Sequence, residues 1–400
     1  MISDFLVRYF NVTILIMLSS IFGPIRSVLL GRMLTINDFG TYSLALTVIG
    51  FLYPLLMFGQ QRGIIRFFNR HNVVEYNWIK PILTLIGVAI FVGIILINFI
   101  SLFYNTDNSF IYFCLFAFIC SITAELLAFI VISSGSHEIG LIIQRSIRVI
   151  LTLFVIGFFF SKNSSLAMVF YTLGSIHILY ALTVYRYVIK KVEIGVKRFP
   201  ISARKEGLFF SILDVVLITN SYGINFIIGA ILSINHLGAF YALCIILRVY
   251  DAFIQATDFV VMPSARILDK QGLIVITSKN FFIGLIISAS FVLVGEPLLS
   301  ALYLGKFDSY LFLIRFICVL GWLKIMDIIP SSIIGGMSNT KVLKRYTFLN
   351  VGLSIISLPF SIYLIYNYEL IGAVISLILL TLIRAVFGFG ILLSTFRFIK

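Results

Sequence analysis

The sequence predicts an all-α integral membrane protein: about twelve transmembrane helices in two pseudo-symmetric six-helix lobes, with both termini cytoplasmic. Three observations carry this reading. Hydrophobic residues make up 60% of the 400 residues and charged residues only 12%, with a mean hydropathy of +1.11. A soluble chain runs at about 25% charged. Twelve apolar runs are long enough to cross a bilayer, which takes about 20 residues each. The stretch GRMLTINDFG from Gly31 to Gly40 recurs as GAILSINHLG from Gly229 to Gly238, an offset of 198. Gly31/Gly229, Leu34/Leu232, Ile36/Ile234, Asn37/Asn235 and Gly40/Gly238 are identical between the copies. A two-copy repeat of this size in an apolar chain is the pattern of a pseudo-symmetric transporter. The competing explanation is that short outer hairpins favour Gly, Asn and Ser wherever they occur.

In order, the runs cover 9–30, 41–60, 80–103, 110–133, 144–161, 166–189, 208–231, 238–262, 278–303, 311–335, 345–367 and 370–395. The first has no small-residue cleavage site after it and reads as an anchor rather than a leader. Adding 198 to the starts of runs two to five lands on or within a few residues of runs eight to eleven. The duplication therefore spans the chain as six helices plus six. An even number of helices repeated in one orientation is a parallel repeat about an axis along the membrane normal. On this reading 1–189 is the N-lobe, 190–207 a cytoplasmic inter-lobe linker carrying KKVEIGVKRFPISARKE, and 208–400 the C-lobe. The linker reads as a charged connection, with an interfacial helix on anionic lipid as the alternative.

Charge sets the orientation. Of the 30 Lys and Arg residues, 22 fall in segments assigned to the inside, Arg145 and Arg148 among them, and only Arg32, Lys162 and Lys306 fall outside. The positive-inside rule then puts both termini in the cytoplasm. It also accounts for most of the +14 net charge. With no soluble basic domain, a nucleic-acid partner is not expected. Cys114, Cys120, Cys244 and Cys318 sit in apolar runs without CxxC spacing, and the four histidines are scattered, so neither a disulfide nor a metal site is expected. No nucleotide loop, nucleophile elbow or zinc motif is present, and the expectation is a protein that is not an enzyme and carries no cofactor.

Charges at membrane depth are costly and are functional candidates by default. Here they are Arg26, Arg248, Arg315, Lys324, Arg384, Glu125, Asp214, Asp251, Asp258, Glu296 and Asp327. In run eight, Arg248, Asp251, Gln255 and Asp258 are spaced 3, 4 and 3, which makes one polar seam on a helix. The plainer alternative is that Arg248 and Asp251 neutralise each other as an i,i+3 pair. Arg26 in run one shares a stripe with Ser19, and could instead snorkel to the interface. In run seven, Asp214, Ser221 and Asn225 form a second stripe, with Asp214 near the inner end. Lys324 and Asp327, three apart, are expected to pair. Glu125 lies at the depth equivalent to residue 323, which suggests a mixed cluster of Glu125, Lys324 and Asp327 holding the lobes together. Arg384 sits mid-run, either as a second basic site or as the partner of an intramembrane acid.

The residues also resemble a known family. From Arg26 to Phe68 the chain is similar to the opening of polysaccharide flippases of the MOP exporter superfamily, through Leu34, Asp38, Phe39, Gly40, Tyr42, Gly59, Arg66 and Phe67. GGMSNTKVLKR (Gly335 to Arg345) and YELIGAVIS (Tyr368 to Ser376) extend the resemblance to the second half. It resembles Wzx-type O-antigen or capsular repeat-unit flippases. That resemblance implies a MATE/MOP-like fold in the bacterial inner membrane and transport of undecaprenyl-diphosphate-linked glycan by alternating access. It further implies an O-antigen polymerase and a chain-length regulator as candidate partners, besides the lipid bilayer itself. Helices one, two, seven and eight would line the cavity. Arg26 and Arg248 then become contacts for the diphosphate or an acidic sugar, with Asn225 and Gln255 beside them, and Asp214, Asp251 and Asp258 become candidates for H+ or Na+ coupling. The chain ends at twelve helices, unlike the lipid II branch. The alternatives are a multidrug exporter of the same fold, which would want an acidic and aromatic cavity, and a membrane polymerase or glycosyltransferase, which the short outer loops disfavour.

Overall fold

A computed structural model describes residues 19–57, 59–60, 75–161, 165–198, 201–264, 270–336 and 340–397. Among them the chain is nearly all helix. α1 covers 19–33 and α2 Ile36–Leu56. α3 is Ile79–Phe103, α4 Asn108–Ser133, α5 His137–Ser161 and α6 Leu166–Lys191. α7 is Ile201–Ile231, α8 Ile234–Leu243, α9 Leu247–Ser264, α10 Lys270–Tyr303 and α11 Ile314–Gly336. α12, Thr340–Arg397, is broken at Glu369 into arms of 340–368 and 370–397. Seven helices among the described residues are long and apolar enough to cross a membrane, eight with the bent α8–α9 pair counted as one span. The chain is a multi-pass membrane protein. Leu102, Phe160 and Leu293 are 77–79% exposed, a burden that lipid, unlike water, accepts without cost.

The two copies of the repeat are helix-capping turns. Thr35 Oγ1 accepts from the Asp38 N–H at 3.1 Å to start α2, and Ser233 Oγ accepts from the His236 N–H at 3.3 Å to start α8. Each hydroxyl satisfies a backbone donor that the first helical turn leaves open, which is why the pattern Thr/Ser-Ile-Asn returns at the same place in each half.

Two compact units divide between Tyr222 and Gly223, inside α7. Each is built around one central helix. In the first, α4 packs against α2, α3, α5 and α6. In the second, α11 packs against α9, α10 and α12. These are the repeat-related fourth and tenth spans, so the duplication shows in the packing as well as in the sequence. Within the second unit, Val261, Leu273, Ile329, Ile333 and Leu392 are among the side chains of one buried apolar cluster.

Three local features differ from the sequence expectation or add to it. α5 begins at His137 rather than 144, after a turn in which Gly135 takes φ +92°, so Arg145 and Arg148, counted with the inner cations, lie two to three turns inside the helix rather than at its end. The eighth span is not continuous: it bends by 56° between Leu243 and Leu247. Neither Gly nor Pro marks the break. Instead a run of tight i→i−3 hydrogen bonds, from Ile245 N–H to the Ala242 carbonyl through Val249 N–H to the Ile246 carbonyl, takes up the backbone groups. Finally, the segment after α6 is docked. β1 (Tyr76–Asn77) pairs in parallel with β2 (Lys197–Arg198), and the buried Trp78 indole donates to the Glu193 carbonyl at 3.2 Å.

Candidate functional site

In the first unit a cavity of about 190 Å3 opens among α1, α2, α4, α5 and α6. Its space comes from α4, where Ala117, Cys120, Ser121 and Ala124 put four small side chains on one face. α2 contributes Tyr42, Leu46, Ile49 and Tyr53 at helical spacing, and α5 contributes Gln144, Ile147, Arg148 and Leu151. Arg26, Glu125 and His177 complete the polar lining.

The charges lie at different depths. At 1.5 Å per residue, counted from the helix ends at residues 33, 166, 161, 108 and 36, Arg26 is about 10 Å, His177 about 16 Å, Arg148 about 20 Å, and Glu125 and Tyr53 about 26 Å along their helices. Glu125 interacts electrostatically with Arg148 first and then with Arg145. Arg145 donates to Ser19 Oγ and Ser20 Oγ of α1 at 3.4 and 3.5 Å. Two turns further along α5, Thr152 donates to the Phe22 carbonyl at 2.9 Å. Arg26 does not simply reach for the surface: it lines the cavity, and its Nε is buried without a hydrogen-bond partner. His177 is held by its own helix, Nδ1 donating to the Leu173 carbonyl at 2.6 Å, with its ring edge-on to Phe113. Phe113 in turn stacks on Phe170 at 5.0 Å. Two guanidiniums, Arg145 and Arg148, thus face the Glu125 carboxylate, and Arg26 lines the same cavity away from it.

The second unit carries a charge network on α9, α11 and α12. Arg248 Nη1 meets Asp251 Oδ2 at 3.4 Å, and Lys324 Nζ approaches Asp251 Oδ1 at 3.9 Å. Arg248 and Asp251 do therefore pair along the helix. Arg248 nonetheless keeps about half of its side chain exposed (52%). Further down the seam Gln255 is exposed, and Asp258 accepts a hydrogen bond from Ser332 of α11.

The pairing expected between Lys324 and Asp327 is not the one the structure makes. Asp327 Oδ2 instead holds Arg384 Nη2 of the second α12 arm at 3.0 Å, with 11% and 15% of the two side chains exposed. A planar guanidinium from a facing helix meets the buried carboxylate better than a flexible ammonium three residues away on its own helix. This also gives Arg384 its role as the partner of an intramembrane acid. Glu125 finds its cations in Arg145 and Arg148 of the first unit, and Lys324 its acid in Asp251 of the second. Arg315 and Glu296 pair at 3.3 Å, with 70% and 36% exposed. Asn225 is half-buried on α7. Asp214 lies on α7 as well, but its side chain falls outside the described residues, as do Arg66 and Phe67 of the resemblance.

Sequence reasoning passed over Arg145, Arg148, Gln144 and Tyr53. A signal was present: Gln144, Arg145, Arg148 and Thr152 form a polar stripe of helical period running into the apolar segment. The two arginines fall in the first turns of the run read from 144, and were counted with the inner cations as its inner end.

A family model described as polysaccharide biosynthesis protein matches residues 7–263, more than half of the chain. The chain belongs to the polysaccharide biosynthesis protein family. No curated protein matches it in sequence. Solved structures share its fold. The MATE multidrug transporter DinF-BH aligns at a TM-score of 0.69 and 15% identity over 96% of this chain and 94% of that one. An inward-facing multidrug resistance MATE family transporter of the MOP superfamily aligns at 0.65 and 12%, covering 93% of each chain. A MOP superfamily transporter from Pyrococcus furiosus, described by the reverse polarity of its binding pocket and a different function, aligns at 0.65 and 14% over 96% and 93%. This member of the polysaccharide biosynthesis family therefore has the MOP-superfamily transporter fold along nearly its whole length.

Proposed function

We propose that this protein is a flippase that carries undecaprenyl-diphosphate-linked oligosaccharide from the cytoplasmic to the periplasmic leaflet of the bacterial inner membrane. The observation that carries the reading is the sign of the intramembrane charge. Among the described residues of the first unit, Arg26 and Arg148 line the cavity with Glu125, and Arg145 stands by the same carboxylate, whereas in the second unit Arg248, Lys324, Arg315 and Arg384 are matched by Asp251, Asp258, Glu296 and Asp327. Cations in excess at membrane depth are retained where an anion passes. Guanidiniums suit a diphosphate because their fork binds phosphate oxygens two at a time.

Arg26 and Arg248 are the contacts assigned to the diphosphate, with Asn225 and Gln255 beside the path. Coupling to a proton or sodium gradient is drawn through Asp214, Asp251 and Asp258. The family membership supports a glycan cargo. A multidrug exporter of the same fold is the second reading, and the cationic excess weighs against it, since cationic drugs need acids to receive them. The Pyrococcus furiosus protein, described by reversed pocket polarity and a different function, illustrates why pocket charge is the property to read within one fold.

The test is translocation of fluorescent undecaprenyl-diphosphate disaccharide in proteoliposomes. Arg248→Ala is expected to slow it at least ~10-fold, the loss of about 1.4 kcal/mol or more of anion contact, with membrane insertion unchanged. Normal translocation by Arg248→Ala and by Arg26→Ala would remove both from the path. Full transport without any ion gradient would sink the coupling.

A further inference from the structure

The buried ion pair of the second unit is only half closed. Asp327 Oδ2 meets Arg384 Nη2 at 3.0 Å, while Asp327 Oδ1 and Arg384 Nε are buried without a hydrogen-bond partner in the protein. Nε and Nη2 share one edge of the guanidinium, and a carboxylate that meets this edge squarely closes two parallel bonds. Here one bond closes, so the remaining donor and acceptor belong to a single opened fork.

The first arm of α12 brings two more such atoms to the same place. Tyr346 interacts electrostatically with Arg384, yet its hydroxyl closes no hydrogen bond of its own. Asn350, one turn further along, donates through Nδ2 to the Tyr346 carbonyl at 2.8 Å, and its Oδ1 is buried without a partner. Tyr346 and Asn350 are only 3% and 0% exposed. Three helical segments converge here: a Cβ on Gly388, one turn after Arg384, would stand 3.0 Å from Pro330 of α11 and 3.6 Å from the Tyr346 ring. Lys324 acts on Asp327 through its charge and keeps its contact with Asp251.

Buried polar atoms are almost always hydrogen-bonded, to protein or to ordered water. What these four atoms require identifies the ligand. Arg384 Nε only donates, the oxygens of Asp327 and Asn350 only accept, and the Tyr346 hydroxyl does either. A cation would be set against the guanidinium and an anion against the carboxylate, so the ligand is neutral. It must also accept and donate at once in a buried, apolar surrounding. We infer that this site binds one internal water, which accepts from Arg384 Nε and the Tyr346 hydroxyl and donates to Asp327 Oδ1 and Asn350 Oδ1. Waters inside proteins make about 2–4 hydrogen bonds of this kind. With the water in place, both charges and all four atoms are answered at membrane depth. Immobilising it costs entropy, so an apolar replacement of the pair still competes well. The site is independent of what the protein transports.

The test is synchrotron hydroxyl-radical footprinting of the full-length protein in detergent and isotopically labelled water, read by mass spectrometry. Radicals formed from a bound water label the side chain beside it, so a buried tyrosine reacts only where water is held. Tyr346 is expected to be labelled several-fold faster than Tyr250, which is as deeply buried but has its hydroxyl hydrogen-bonded to Ser288 at 2.9 Å. Equal labelling of the two tyrosines overturns the inference. In the double variant Asp327→Leu, Arg384→Met, two of the four contacts are gone, and Tyr346 is expected to fall to the rate of Tyr250. Labelling that persists there means that solvent reaches the ring by another route, and overturns the inference too. Asn350→Leu leaves the ion pair intact and serves where the double variant fails to fold. It should lower Tyr346 labelling in part, and a rate unchanged from wild type overturns the four-contact site.

Discussion

Replacing Arg384 with Met tests what the buried ion pair of the second unit contributes. Asp327 and Arg384 are 3.0 Å apart and only 11% and 15% exposed, so the substitution leaves a carboxylate in an apolar interior with its cation gone. Pairs broken in this way cost about 3–5 kcal/mol, because the stranded charge keeps its desolvation penalty. For a unit the size of Gly223–Lys400, each kcal/mol corresponds to about 2–4 °C in Tm. The expected loss is therefore roughly 6–20 °C, read by thermal unfolding of the purified protein in detergent. The double variant Asp327→Leu, Arg384→Met removes both charges and should recover most of the loss, since buried pairs replaced by apolar residues of similar volume are often neutral or better. Recovery is favoured further by the present pair being incompletely satisfied: Asp327 Oδ1 and Arg384 Nε are both buried without hydrogen-bond partners. A single variant within about 2 °C of wild type, less than ~1 kcal/mol, would refute the placement of the pair. So would a double variant no better than the single one.

Other expectations concern the backbone and the inner clasp. A Cβ at Gly372 would overlap the carbonyl of Leu364 across the turn joining the α12 arms, so Gly372→Ala should abolish the monodisperse folded peak on size exclusion. Glu369 holds φ 49°, ψ −133°, a conformation reserved for glycine that costs about 1–3 kcal/mol; Glu369→Gly should raise Tm by a few degrees. Trp78→Ala removes a fully buried indole, at about 3–5 kcal/mol, and should speed tryptic cleavage between Lys190 and Lys205 by freeing the segment that β2 now pins. Glu75 raises the Lys197 pKa, so this pair contributes below the ordinary lysine value and is lost only as pH climbs through the raised one. Because both side chains are solvent-screened, Glu75→Gln should leave Tm unchanged from about pH 6 to 9.

Much of the architecture was legible in the sequence, and for definite reasons. The caps at Thr35 and Ser233 are written in three or four consecutive residues, so the repeat pointed to them directly. The candidate site was legible only in part. Arg26 and Arg248 were found because an isolated cation in an apolar run stands out wherever it occurs. Arg148 was missed because the run read from 144 puts it one turn from the end, with the inner cations, whereas the helix starts at His137 after the Gly135 turn and carries Arg148 about three turns in. The Lys324 expectation failed because spacing along one helix finds neighbours on that helix and is blind to a better partner on another.

Hydropathy, charge asymmetry and a 198-residue offset are properties of the chain read in a line. They determined by themselves that this protein is embedded in a membrane, that it crosses many times, and that it was built twice. Only the tertiary structure decided which charges meet. Asp327 reaches Arg384 across 57 residues of sequence, and Glu125 faces α5 because α4 is the helix on which the first unit packs. The cavity opens where small side chains on α4 lie opposite residues of α5, and the eighth span bends at a run of i→i−3 hydrogen bonds that no Gly or Pro marks. For the ion pairs and the cavity the deciding energy is a contact between helices, and no window along the sequence contains both partners.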